Sequence, residues 1–125
     1  MNYPHVVTWF EIPVSDLARA VRFYETVFAI TLNQDACPSG MKMAVFPAEK
    51  EAVNGCLVQH ESCKPSADGT TVYLNGGDDL SVPLARAEQA GATIVVPKTQ
   101  ISPEIGYFAQ FIDSEGNRVG LYSMH

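Results

Sequence analysis

Apolar and polar positions change period several times along the chain, and each change marks an element. Residues 6–14 are rich in β-branched and aromatic types and read as a strand. Over 16–28 the apolar groups fall at Leu17, Ala20, Val21, Tyr24 and Val27/Phe28, the three-four spacing of one helix face. Ser15 or Asp16 can cap that helix by accepting from its unpaired backbone N–H groups. Three short strands are expected near 30–35, 41–47 and 55–60, followed by a polar linker over 61–69. Thr70–Asn75 is again β-branched and aromatic. A second helix is expected over 80–90. Pro83 must lie in its first turn, which puts the cap at Leu80 or Ser81, and Gly91 ends it. Strands near 93–96, 106–112 and 118–123 complete the pattern. The last two are joined by Asp113-Ser-Glu-Gly-Asn117, where Gly116 or Asn117 can take a positive φ.

The pattern is written twice. A shift of 63 residues places Asp16 on Asp79, Val21 on Leu84, Ala29 on Ala92 and Asn54 on Asn117. The Gly40–Phe46 strand matches Gly106–Ile112 with a small insertion. Identity between the copies is low, so the repeat rests on pattern. It predicts one domain, residues 1–125, with βαβββ halves over about 1–61 and 69–125.

Composition narrows the partners. The chain has 125 residues, 46% hydrophobic and 18% charged, enough apolar mass for a core and too little charge for a disordered chain. The net charge of −6 disfavours nucleic acid and anionic membranes. No apolar run approaches the ~20 residues of a membrane span, and the first residues carry no signal-peptide pattern. Cys37, Cys56 and Cys63 are odd in number and form no C-x-x-C pair, so reduced thiols and a cytoplasmic location are expected.

In their order, these segments resemble the glyoxalase/bleomycin-resistance/extradiol dioxygenase (vicinal oxygen chelate) superfamily. The run Phe10-Glu-Ile-Pro-Val-Ser-Asp-Leu-Ala-Arg-Ala-Val-Arg-Phe-Tyr24 is similar to the family's first strand and helix. Val72-Tyr-Leu, Asp79, Gly91, Pro97 and Gly106-Tyr-Phe-Ala lie where its second half has such residues. Phe111–Leu121 resembles its closing D-P-x-G-N hairpin, with Ser114 in place of the proline. The first helix departs from the family by ending Val27-Phe-Ala-Ile30, where many members have a glycine. The resemblance implies an α+β fold: two βαβββ repeats forming a curved eight-stranded mixed sheet, an open cup or barrel, with helices outside. It also implies a ligand in the concavity and frequent homodimers, some of which build each cup from two chains.

In metal-dependent members four His, Gln or Glu side chains hold a divalent ion. Carried over one by one, those positions fall on Trp9, Leu57, Thr71 and Gly120, none an ordinary ligand. A two-residue slip offers Glu11 and Gln59, still without histidine. His5, His60 and His125 show no H-x-H or H-E-x-x-H spacing. No metal and no cofactor are therefore expected.

Strand alternation assigns faces. With Trp9 inward, Glu11 is inward too, while Phe10, Ile12 and Val14 pack beneath the helices. The same parity turns Leu57 and Gln59, Thr71, Tyr73 and Asn75, and Arg118, Gly120 and Tyr122 toward the cup. This gives an aromatic-walled pocket for a small molecule, with Trp9, Glu11, Gln59, Thr71, Tyr73, Arg118 and Tyr122 as binding candidates. Glu11 is the candidate catalytic residue, since burial would disfavour its charged form and suit it to acid–base work. The bland alternative is a structural contact of Glu11 with Arg118 or Tyr73. Three functions follow: a metal-free binding protein for a small organic molecule, a metal-free enzyme using Glu11 as general base, or a metal-dependent lyase or isomerase of the glyoxalase type.

Overall fold

The elements run in chain order β1 (Trp9–Pro13), α1 (Leu17–Phe28), β2 (Lys42–Val45), β3 (Asn54–Gln59), β4 (Val72–Asn75), α2 (Ser81–Gln89), β5 (Thr93–Ser102), β6 (Gly106–Ile112) and β7 (Arg118–Ser123). They are those of a computed structural model, which describes residues 4–34 and 41–125. Cys37, Gly40 and the last residue of the strand expected over 30–35 lie outside the described residues.

Each half closes a parallel pair across its helix. In the first half β3 is central, parallel to β1 and antiparallel to β2. In the second half β7 lies between β4, its parallel partner, and β6, and antiparallel β5 flanks β6. The sheet orders are β1-β3-β2 and β4-β7-β6-β5, so β1 and β4 are equivalent edge strands. Among the described residues the fold is thus two mixed sheets of seven strands, where one continuous eight-stranded sheet was expected.

The missing strand has a local cause. Ala29 leaves α1 in the left-handed region (φ 54), and Ile30 N–H returns to Glu25 O at 3.2 Å. Glu25 also reaches ahead with its carboxylate to take the N–H of Leu32 at 2.9 Å. Those donors are then withheld from a ladder, and one bridge, Asn33 to Val45, is what remains of the strand.

Helix α1 forms as its spacing predicts. Asp16 is the N-cap, accepting from Arg19 N at 3.1 Å, and the buried face holds Ala20, Val21, Phe23, Tyr24 and Val27. Helix α2 starts with Pro83 in its first turn and is capped from outside, by Ser123 Oγ accepting from Leu80 N at 3.0 Å. Strand β5 runs through Pro97, beyond the expected 93–96. It can do so because it is an edge and its ladder is irregular there, so the absent N–H has no partner to lose. Among the described residues no helix is long and apolar enough to cross a membrane.

The core lies between the sheets and the helices. Ile12, Leu57 and Ala44 from the first half meet Leu74, Val119 and Leu121 from the second, around Tyr24 and Phe111. An aromatic chain runs through it, from Phe111 to Phe23 (5.9 Å), Tyr24 (5.0 Å), Phe46 (5.9 Å) and Phe10 (5.7 Å).

The halves are tied together by the 113–117 turn. Gly116, at φ 94, allows the reversal. Asp113 accepts from Tyr24 Oη at 2.6 Å and from the N–H groups of Glu115 (2.8 Å) and Asn117 (2.9 Å). Asn117 Nδ2 donates to Pro13 O at 2.7 Å. Glu115 spans to the start of α1, accepting from Ser15 N at 2.8 Å, Asp16 N at 2.9 Å and Arg19 Nε at 2.7 Å.

Candidate functional site: a cleft between two sheet edges

The equivalent edges β1 and β4 flank a cleft of about 1020 Å³. Its apolar lining comes from Phe10, Phe28, Ile30, Phe46 and Leu74, which continue the core aromatic chain to the surface. The polar groups are few: Glu11, Glu49, Asn54, Thr70, Thr71, Tyr73 and Asn75. Among the described residues, two carboxylates and no cationic side chain line it. Trp9 (44% exposed) and Tyr73 (47% exposed) are large aromatics among its lining residues that stay solvent-exposed.

Trp9, Glu11, Thr71 and Tyr73, all read from alternation, are brought together here. Glu11 is exposed, so the burial expected to disfavour its charge is not present. Neither proposed structural partner engages it, because Arg118 and Tyr73 are both bound to Gln110. Arg118 lies on β7 outside the cleft lining, held by Nε to Ala67 O at 3.0 Å and Nη1 to Gln110 Oε1 at 3.0 Å. Tyr122 also lies outside it, donating to Ile105 O and reaching Met124 Sδ at 3.7 Å.

Gln59 and Leu57 take the opposite face from the one expected. The β1–β3 register pairs Glu11 with Cys56 and Ile12 with Leu57, so Leu57 joins the core and Cys56 shares the face of Glu11. Gln59 follows Leu57 in parity and caps α1, its Oε1 accepting from Leu17 N at 2.8 Å. The cause is the repeat itself. By pairing, Glu11 corresponds to Tyr73 and Cys56 to Gly120, offsets of 62 and 64 residues, whose mean is the 63 seen in the sequence. A uniform shift therefore misplaces β3 by one residue, which exchanges its faces.

The loop from Phe46 to Asn54 supplies much of the cleft wall and carried no periodic signal. Its one legible hint is Asn54, the counterpart of Asn117 in the repeat; Asn54 Nδ2 donates to Phe46 O at 2.7 Å and holds the loop. His60 lies elsewhere, in a smaller hollow of about 590 Å³ with Cys63, Lys42 and Lys64, its Nδ1 bound to Ser62.

By the observed pairing, the four positions expected for metal ligands become Trp9, Cys56, Thr71 and Gly120. Trp9 offers no ligand atom. Burial, and then the Glu11 carboxylate, push the Cys56 thiol up to about 11, against forming the thiolate a metal needs. Gly120 has no side chain, and the Tyr73 ring lies where its Cβ would project. Among the described residues no group of three or more His, Cys, Asp or Glu is placed to hold an ion. The residues present do not fit a divalent metal.

Two related half-sheets, each with its helix, and a lateral apolar cleft between equivalent edges define an α+β protein with a candidate binding cleft. Residues 7–47 match the family described as bleomycin resistance protein-like N-terminal. CFP32 of Mycobacterium tuberculosis (strain CDC 1551 / Oshkosh), provisionally assigned as a glyoxylase, is 26% identical over 116 residues, which cover 93% of this chain. The chain spans 43% of that relative's length. TnmS3, an antibiotic-binding protein from Streptomyces sp. CB03234, is 26% identical with a TM-score of 0.65, covering 100% of this chain and 99% of its own. The glyoxylase/bleomycin resistance protein/dioxygenase domain from Frankia sp. EAN1pec shares the fold at a TM-score of 0.72 and 14% identity, covering 98% of this chain and 100% of that one. The chain is thus similar over its first third to a bleomycin-resistance-like family, and in fold to glyoxalase/bleomycin resistance/dioxygenase proteins.

Proposed function

We propose that this protein binds a small, largely aromatic organic molecule in the cleft between β1 and β4, without a catalytic metal. The observation that carries this reading is the lining: aromatic and aliphatic walls with a few polar groups, and no competent donor set at the metal positions. Glu11 and Glu49, with no cationic side chain among the described lining residues, favour a neutral or cationic ligand over an anion. The likeness to an antibiotic-binding protein along the full chain supports binding over turnover. In this reading the protein is a cytoplasmic homodimer whose thiols stay reduced.

Trp9 is the sole tryptophan and lines the cleft, so it reports directly on occupancy. Excitation of Trp9 in the presence of neutral N-phenyl-1-naphthylamine should show saturable energy transfer. Replacement of Phe46 by Asp should abolish it. Metal analysis of the purified protein should find less than stoichiometric Zn, Ni, Mn or Fe. Saturable transfer that survives Phe46→Asp, or stoichiometric metal, would sink the reading. Native mass spectrometry tests the dimer.

A second reading keeps Glu11 as a general base, favoured by its exposed carboxylate on the cleft wall. Glu11→Gln would then abolish turnover of a bound substrate while leaving its affinity nearly unchanged. In the binding reading no turnover exists to lose.

A further inference from the structure

The second sheet carries a cation with no anion to meet it. Strands β4, β6 and β7 hold one charged side chain between them, Arg118. Strand β5 adds Lys98, which pairs with Asp79 at 2.9 Å, and none of the four strands bears a carboxylate. Arg118 is partly buried, yet among the described residues it has no ion-pair partner. Its guanidinium is held at two points. Nε donates to Ala67 O at 3.0 Å and Nη1 to Gln110 Oε1 at 3.0 Å, while among the described residues no acceptor meets Nη2. A guanidinium fixed in this way, with donors left over, suits a carboxylate, whose two oxygens match its planar fork.

Beside it lies an aromatic platform. Gln110 Nε2 donates to Tyr73 Oη at 2.6 Å, so the guanidinium and the phenol are joined through one amide group. The Tyr73 ring crosses Gly120, where any Cβ would collide with it, and Phe108 tilts against it at 6.4 Å. One side of the ring is laid on the sheet; the residue is about half-exposed, so the other side is open to solvent. Because Tyr73 Oη accepts from Gln110, its own proton remains, and no described residue takes it. Tyr73, Gln110 and Arg118 share the face of the sheet turned away from Leu74, Ala109, Val119 and Leu121, which belong to the core.

We infer that this open face binds a small aromatic carboxylate, with its ring on Tyr73 and its carboxylate on Arg118. Gln110 is the positioning residue that holds the guanidinium and the phenol side by side. The site lies across β4, β7 and β6 and not in the cleft between β1 and β4, so it does not rest on the cleft-binding reading. Both parts of the ligand are needed. A neutral aromatic would leave the guanidinium without a counter-charge, and an aliphatic acid would leave the ring uncovered. The net charge of −6 repels anions at long range, so affinity must come from these contacts and not from steering.

The test is an amide-resolved NMR titration of the full chain with 2-naphthoate and its neutral counterpart 2-naphthamide. 2-Naphthoate should give saturable shifts centred on Gln110, Arg118 and Gly120. A hydrogen bond to a charged group corresponds to about 10-fold or more in affinity, so 2-naphthamide should bind about 10-fold more weakly. Arg118→Met should bring the acid down to the level of the amide. Gln110→Glu is the sharper variant, because its carboxylate occupies the guanidinium from within while every ring stays in place. It should cause the same selective loss. Tyr73→Leu removes the platform and should weaken both probes alike, by about 5-fold. The inference is overturned if 2-naphthoate binds no more tightly than 2-naphthamide, if its binding survives Gln110→Glu, or if its shifts centre on β1 or on surface lysines. None of these outcomes bears on whether the cleft is a binding site.

Discussion

Substituting Glu115 with Gln tests how the two halves are held together. The carboxylate has no solvent-accessible side-chain surface, while its partner Arg19 is about half-exposed. Oε1 accepts from Ser15 N, Asp16 N and Arg19 Nη2; Oε2 accepts from Arg19 Nε and Ser114 Oγ. Burial works against the charge, but Arg19 and the N–H groups of Asp16 and Ser15 outweigh it and hold the carboxyl at about 2, down from 4.5. That displacement corresponds to about 3 kcal/mol of folding free energy at neutral pH. Solvent around Arg19 screens part of it, leaving about 2 kcal/mol. A glutamine must turn an NH2 toward one set of donors, so the loss should appear in full. Because the folded pKa is depressed, the contribution is present above 4.5, the ordinary value, and is lost as pH falls toward 2. Urea unfolding at pH 7 should show Glu115→Gln less stable by about 2 kcal/mol. At pH 3 the gap should shrink to about 1 kcal/mol, because the unmodified protein has by then lost much of the same contribution. A gap below about 0.5 kcal/mol at pH 7, the size of an ordinary exposed pair, would refute the argument. So would a gap that does not change with pH.

Two further substitutions probe the same frame. Ala29 holds the left-handed C-cap of α1 at φ 54, a conformation costing a non-glycine residue about 1–2 kcal/mol. Ala29→Gly should raise stability by about 0.5–1 kcal/mol after the greater freedom of glycine in the unfolded chain is subtracted; a lower thermal midpoint would contradict that. Tyr24 is fully buried, its hydroxyl pushed well above the ordinary range by burial and by the neighbouring Asp113 carboxylate. Tyr24→Phe leaves Asp113 without its 2.6 Å donor and should destabilise by about 1.5–3 kcal/mol in denaturant unfolding; a loss below about 0.5 kcal/mol would show that the bond is not made in solution.

Local chemistry made much of this fold legible. The apolar spacing from Leu17 to Phe28, with Asp16 before it, specifies a helix whose cap and buried face both form. Alternation in β1, β4 and β7 sorts Trp9, Glu11 and Tyr73 from Ile12, Leu74 and Leu121 correctly, because burial on one face fixes register. What was not legible depends on partners distant from the pattern. The fate of 30–34 turns on Glu25 reaching seven residues ahead to Leu32 N–H. The length of β5 turns on its being an edge, which only the assembled sheet determines. The relay through Gln110 is invisible from any window of sequence, since Arg118, Gln110 and Tyr73 meet only after β4, β7 and β6 lie side by side.

The corrected register also changes what the unusual residues at the metal positions amount to. Read singly, Trp9, Cys56, Thr71 and Gly120 are four independent departures from a ligand set. In the structure one of them belongs to a larger arrangement, because Gly120 admits the Tyr73 ring that covers it. A histidine at 120 would not recover a ligand by itself, since its Cβ would already displace that ring and break the bond from Gln110. The opposite half shows the same device turned inward. Phe10 lies over Gly55, its partner in the β1–β3 pair, but on the core side, where it joins Phe46 beneath the cleft. An aromatic ring packed on a cross-strand glycine thus serves core packing in one half and carries a phenol across the sheet to Gln110 in the other. The two halves differ here by which face the glycine opens, and that difference is set by the offsets of 62 and 64 residues between their paired strands.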